Sequence, residues 1–116
     1  MTIYFIGGDF DAVKIGYSAF EYPHERLTSL QVGNPNELRI LALCDGGLAE
    51  ERELHRRFAA YAIRSEWFRR CPELNRLIVE HSNFEVPRSG KLRSWKLHPS
   101  RKRMSNYPAV TSARAA

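Results

Sequence analysis

The sequence predicts a small α/β domain: a three-stranded, mostly antiparallel sheet flanked by helices in the order β-β-α-β-α-α. Three observations carry this. Two β-branched and aromatic segments open the chain on either side of Gly7-Gly8-Asp9, which is hairpin chemistry. A third apolar run ends at Asp45-Gly46-Gly47. The helical patterns fall between and after these segments without the strict alternation that a parallel, doubly wound sheet requires.

Thr2-Ile3-Tyr4-Phe5-Ile6 forms the first strand, and the alternating segment over residues 12–17 forms its hairpin partner. Pro23 suits the first turn of a helix, with Leu27 and Leu30 on one face and Gly33 placed to end it before Asn34-Pro35. Residues 38–44 are nearly all apolar and read as the third strand. The spacing then predicts a helix over residues 49–62, with Leu54, Phe58 and either Tyr61 or Ala62 facing inward. A shorter helix starts near Pro72, with Leu74, Leu77 and Ile78 as its stripe.

The chain's 116 residues fit one domain. No stretch approaches the ~18 apolar residues of a membrane span, and Met1 leads directly into a strand, so neither a membrane nor a secretory route is expected. Cys44 and Cys71 have no CxxC partners, which argues for two reduced thiols in a cytoplasmic protein. Charge divides the chain. Residues 1–87 carry ten basic and thirteen acidic residues, a net charge of −3, whereas residues 88–116 carry eight basic residues and no acid. The expectation is a folded domain over 1–87 and a disordered tail over 88–116, whose few aliphatic residues bury too little surface to offset ordering. An acid-free basic arm suits phosphate neutralisation, with Lys91, Arg93, Lys96, Arg101, Lys102 and Arg103 as candidate DNA contacts. A purely solubilising arm is the alternative.

Five polar residues stand where they can converge on one sheet edge. Tyr4 lies mid-strand and Lys14 on the neighbouring strand; Arg26 is on the first helix; Glu51 and His55 are one turn apart beside Leu54 and Phe58. A phenol to handle a proton, a carboxylate to hold one divalent cation and a guanidinium to clamp developing charge suit phosphoryl transfer. Spacing leaves each a second reading: a strand aromatic with a solvated hydroxyl, a solvated cation, a carboxylate offsetting the helix dipole beside Glu50 and Glu53, a half-buried histidine.

Ile3-Tyr4-Phe5-Ile6, Val13-Lys14-Ile15-Gly16-Tyr17-Ser18, Glu25-Arg26-Leu27, Leu30-Gln31 with Gly33-Asn34-Pro35, Glu51 with Leu54-His55 and Phe58, and Glu66-Trp67-Phe68 occur in one unbroken order. Read together, they resemble the GIY-YIG nuclease superfamily, and most closely its short branch of phage T5-type DNA-binding and meiotically up-regulated-gene-type domains. The resemblance spans roughly residues 2–80 and implies a nuclease site with one divalent cation, Mg²⁺ or Mn²⁺, as cofactor. On it, Tyr4 deprotonates or orients the nucleophilic water, Gly16 lets the backbone pass close to the site, Arg26 stabilises the transition state, Glu51 binds the metal and His55 assists at the phosphate. Lys14 stands where the second signature has tyrosine; with Arg26 it is a candidate phosphate contact. DNA is the implied partner; oligomeric state is left open. The function expected is a metal-dependent DNA endonuclease. The alternatives are an inactive DNA-binding module of the same fold, and a protein-interaction adaptor that exposes Glu66-Trp67-Phe68 as a contact patch.

Overall fold

A computed structural model of the chain describes residues 1–84. The basic segment and the domain boundary at residue 87 lie outside the described residues. The elements run β1 (Thr2–Gly7), β2 (Ala12–Ser18), α1 (His24–Gln31), β3 (Arg39–Asp45), α2 (Leu48–Arg57), a 3₁₀ turn (Ala59–Tyr61), β4 (Ala62–Arg64), β5 (Trp67–Arg69) and α3 (Pro72–Glu80). All strands join one sheet in the order β3-β1-β2-β5-β4, and every pairing is antiparallel.

The first three strands and the hairpin between β1 and β2 fall where the sequence places them. The sheet, however, has five strands rather than three. The helix expected over residues 49–62 stops at Arg57, and Ala62–Arg64 pairs with Trp67–Arg69. Tyr61 is 41% exposed and Ala62 is also exposed, so neither faces inward. Phe58, the last core residue of this stretch, is 1% exposed. Three-residue strands are too short to show alternation, and a two-residue turn at Ser65-Glu66 with Ser65 at φ 53° is what folds them together. Glu66-Trp67-Phe68 is not an exposed patch, because Phe68 is buried and Trp67 is half-buried.

The sheet is covered on both faces. Ile3, Phe5, Val13, Ile15, Ala42 and Cys44 pack beneath Leu54 and Phe58 of the α2 region and Leu74, Leu77 and Ile78 of α3. Tyr4, Ile6, Ile40 and Leu43 face the other way, against Leu27 and Leu30 of α1. Each buried Val, Leu, Ile or Phe among these contributes about 1.5–3 kcal/mol relative to exposure. Both faces are apolar in the centre, so β1 is buried along its whole length, as a central strand between two layers must be.

Side chains fix the connections. Gln31 bonds the carbonyls of Asn34 and Asn36 through Nε2 and accepts the Leu38 N–H through Oε1, closing the loop that follows α1. Gly33 in that loop sits at φ 81°, a left-handed conformation that ends helices. Arg70 donates to the carbonyls of Gly8 and Phe10 and to Asn75 Oδ1, tying the β1–β2 turn to α3. Glu50 accepts the Gly47 N–H and starts α2. Among the described residues no helix is long and apolar enough to cross a membrane.

Candidate functional site

The site begins with a glycine. Tyr4 and Gly16 are direct cross-strand partners, and Tyr4 is 2% exposed. A Cβ on residue 16 would lie 2.4 Å from the Tyr4 hydroxyl, far inside van der Waals contact, so only glycine lets the phenol cross β2 at this point. Burial pushes the Tyr4 hydroxyl up to about 12; the Arg26 guanidinium opposes this, and the carboxylates of Glu66 and Glu51 add to it. The phenol is therefore protonated at neutral pH. Groups from α1, α2 and the β4–β5 turn all act on this one hydroxyl.

The second part forms where β5 begins. Lys14 is paired with Trp67, the first residue of β5, so Ile15 lies past the end of that strand. Its N–H donates to the Glu66 carbonyl at 3.0 Å, and its carbonyl receives Nε2 of His55 at 2.8 Å. A carbonyl only accepts, so Nε2 carries the proton and the lone pair of a neutral ring is on Nδ1. Phe68 packs against the imidazole at 5.2 Å between ring centroids. Lys14 Nζ donates to Glu66 Oε1 at 2.8 Å.

Glu51 sits one turn before His55 on α2, is 6% exposed, and its carboxylate has no hydrogen bond or ion pair among the described residues. Burial, followed by the Glu66 charge, pushes its pKa above the usual carboxylate value, while His55, Lys14 and Arg52 pull it down. One donor atom from each of Glu51, His55 and Glu66 lies within 4.8 Å of the others. These are oxygen and nitrogen donors of the kinds that bind divalent cations, and the donor set fits the single cation that the sequence implies.

Arg26 is exposed on α1. It lines an open cavity of about 530 Å³ with Tyr17, Ser18, Pro23 and Ser29. Of the candidate site residues that are described, Arg26 alone lines this cavity, and its guanidinium has no hydrogen bond or ion pair among the described residues.

Tyr4, Lys14, Gly16, Arg26, Glu51 and His55 are brought to the same edge of β2. His55 differs from expectation in one respect: Nε2 is committed to the Ile15 carbonyl, so that nitrogen does not reach for a phosphate. Tyr17 points to the opposite face, against the core under α2 and α3. Glu66 joins this cluster without being a candidate from sequence, although it stands in the Glu66-Trp67-Phe68 motif. Its partner Lys14 is 52 positions away, and no local pattern reports such a pair. Lys91, Arg93, Lys96, Arg101, Lys102 and Arg103 lie outside the described residues.

The family model of the T5orf172 domain matches residues 1–83. No curated protein matches the chain, and no solved structure does.

Proposed function

The chain belongs to the T5orf172 domain family, a domain found in phage and nuclease-like proteins, and from that premise we propose that it is a metal-dependent DNA endonuclease with a GIY-YIG-type site. The observation that carries this reading is the crossing of Tyr4 over Gly16, with Arg26, Glu51 and Glu66 all acting on the Tyr4 hydroxyl. The Tyr4 ring packs in the apolar layer under α1, but the charges of a guanidinium and two carboxylates act on its hydroxyl, which core packing alone does not call for.

In this reading water attacks a phosphodiester phosphorus in line with the leaving oxygen. Tyr4, protonated at rest, orients that water by hydrogen bonding; to accept its proton the phenol must first ionise, which the positive charge of Arg26 favours. Arg26, exposed beside the cavity, clamps the charge that develops on the phosphoryl oxygens. Lys14 contacts the neighbouring phosphate. Glu51 holds one divalent cation, Mg²⁺ or Mn²⁺, which when bound supplies charge stabilisation at the phosphate. His55, fixed by Ile15, packs at the side of Glu51. The basic segment from residue 88 supplies sequence-independent affinity for DNA.

The test is nicking of supercoiled plasmid in Mg²⁺, Mn²⁺ or EDTA by the wild type and by Tyr4→Phe, Arg26→Ala and Glu51→Ala proteins with native circular dichroism. The expected result is metal-dependent nicking that falls at least ~100-fold in each variant, as when a single charge-stabilising group is removed. One observation favours a second reading, a binding-only module: Lys14 replaces the second tyrosine and is paired with Glu66. Salt-sensitive DNA binding without nicking in any metal would select it.

A further inference from the structure

We propose that Glu51, His55 and Glu66 together form a three-ligand cation site that prefers a first-row divalent ion such as Mn²⁺ to Mg²⁺. The inference rests on the divalent-metal part of the proposed function but not on hydrolysis.

Glu51 is the starting point. Glu51 is 6% exposed as a residue and has no protein partner among the described residues, yet its oxygens are not among the fully enclosed unpaired atoms, so they stay open to a cation that would offset the cost of burying the charge. One donor atom from each of Glu51, His55 and Glu66 falls within a 4.8 Å span. Ligands on opposite sides of a cation with bonds of about 2.0–2.2 Å are at most about 4.4 Å apart, so small side-chain torsions close the set.

The groups that hold these ligands in place are already formed. A metal-binding imidazole is usually held by a hydrogen bond from its other ring nitrogen to a carbonyl or carboxylate, which selects the tautomer and raises ligand basicity. The Nε2 bond of His55 to the Ile15 carbonyl, 2.8 Å long, has this form. Glu66 is held in the same way. Lys14 takes Oε1 at 2.8 Å, which leaves the second oxygen for a cation without breaking the ion pair. The charges of Glu51, Glu66 and Lys14 sum to −1, which suits a divalent ion that must also meet a phosphate.

The nitrogen donor sets the preference. Mg²⁺ takes oxygen ligands in a strict octahedron and retains its waters, whereas imidazole suits the transition metals. A set of two carboxylates and one imidazole therefore discriminates against Mg²⁺ by the chemistry of its donors.

The experiment uses the full chain, stripped of metal and titrated calorimetrically with Mn²⁺ or Mg²⁺, with electron spin-echo spectra recorded on the Mn²⁺ complex. The wild type is expected to bind Mn²⁺ at least ~10-fold more tightly than Mg²⁺ and to show coupling from one imidazole nitrogen. Glu66→Gln should weaken Mn²⁺ binding ~10–100-fold, the range seen when a shell residue is lost. His55→Gln retains an N–H donor for the Ile15 carbonyl, and should abolish the nitrogen coupling and narrow the Mn²⁺ preference. Absence of Mn²⁺ binding, absence of nitrogen coupling in the wild type, coupling that survives His55→Gln, or wild-type affinity in Glu66→Gln would each overturn the site. Plasmid nicking by the same preparations separates the two readings. Nicking without nitrogen coupling retains the nuclease and removes this site; coupling without nicking does the reverse.

Discussion

A methyl group added to Gly16 would lie 2.4 Å from the Tyr4 hydroxyl, so Gly16→Ala must either displace the phenol or part the two strands. Overpacking of this kind costs about 1–3 kcal/mol. The expected outcome is a protein that still folds, melts in denaturant with that deficit, and loses nicking while retaining DNA affinity. Glu51→Gln should move stability the other way. A carboxyl whose pKa is higher in the folded than in the unfolded chain binds its proton more tightly when folded. Below the ordinary value of 4.5 both states are protonated and no penalty exists. As pH rises through the window above it, the unfolded chain releases its proton first, and stability falls. In EDTA at pH 7, Glu51→Gln should therefore be more stable than the wild type, as is common where function holds a strained charge. The difference should vanish in melts below about pH 4, where both states of the wild type carry the proton. Tyr4, Gly16, Arg26 and Glu51 were legible because they stand in motifs of fixed order. The Lys14–Glu66 pair was not, since it depends on β5 lying beside β2.

At the scale of elements, the strands and helices that were legible are those long enough to repeat a period. The residues 38–44 run and the Leu74, Leu77, Ile78 stripe needed only local arithmetic. β4 and β5 have three residues each, and their existence rests on the Ser65-Glu66 turn, whose left-handed serine gives no glycine to mark it. The turn also presents Glu66 to Lys14 and Glu51. A non-glycine residue at φ 53° carries roughly 1–2 kcal/mol of strain, partly offset in glycine by its greater unfolded-state entropy. Ser65→Gly should thus raise the unfolding free energy by up to ~1 kcal/mol, and Ser65→Val should lower it by more than that; chemical denaturation of both measures the balance. The Gly33-Asn34-Pro35 motif is explained at this scale as well. Gln31 makes three hydrogen bonds that close its loop, so the motif maintains the path from α1 to β3.

For the whole molecule, the question is how a domain with a net charge of −3 over residues 1–87 approaches a polyanion. Its site cations are few: Lys14 is paired with Glu66, and Arg26 stands at the cavity wall. On the proposed function, long-range attraction would come from the eight basic residues beyond residue 87, and the division of labour would be one of range, with the arm recruiting and Arg26 acting at contact. The two contributions respond differently to salt. Each phosphate neutralised on duplex DNA adds about −0.9 to the slope of log affinity against log salt concentration. Replacing Lys91, Arg93, Lys96, Arg101, Lys102 and Arg103 with glutamine in the full chain should flatten that slope by up to about 5. Arg26→Ala should change it by about 1 at most. Mn²⁺ binding should be the same in the six-glutamine protein as in the wild type, because Glu51, His55 and Glu66 all lie within the folded part. A slope unchanged by the six substitutions would assign DNA recruitment to the folded surface and leave the arm as a solubilising extension.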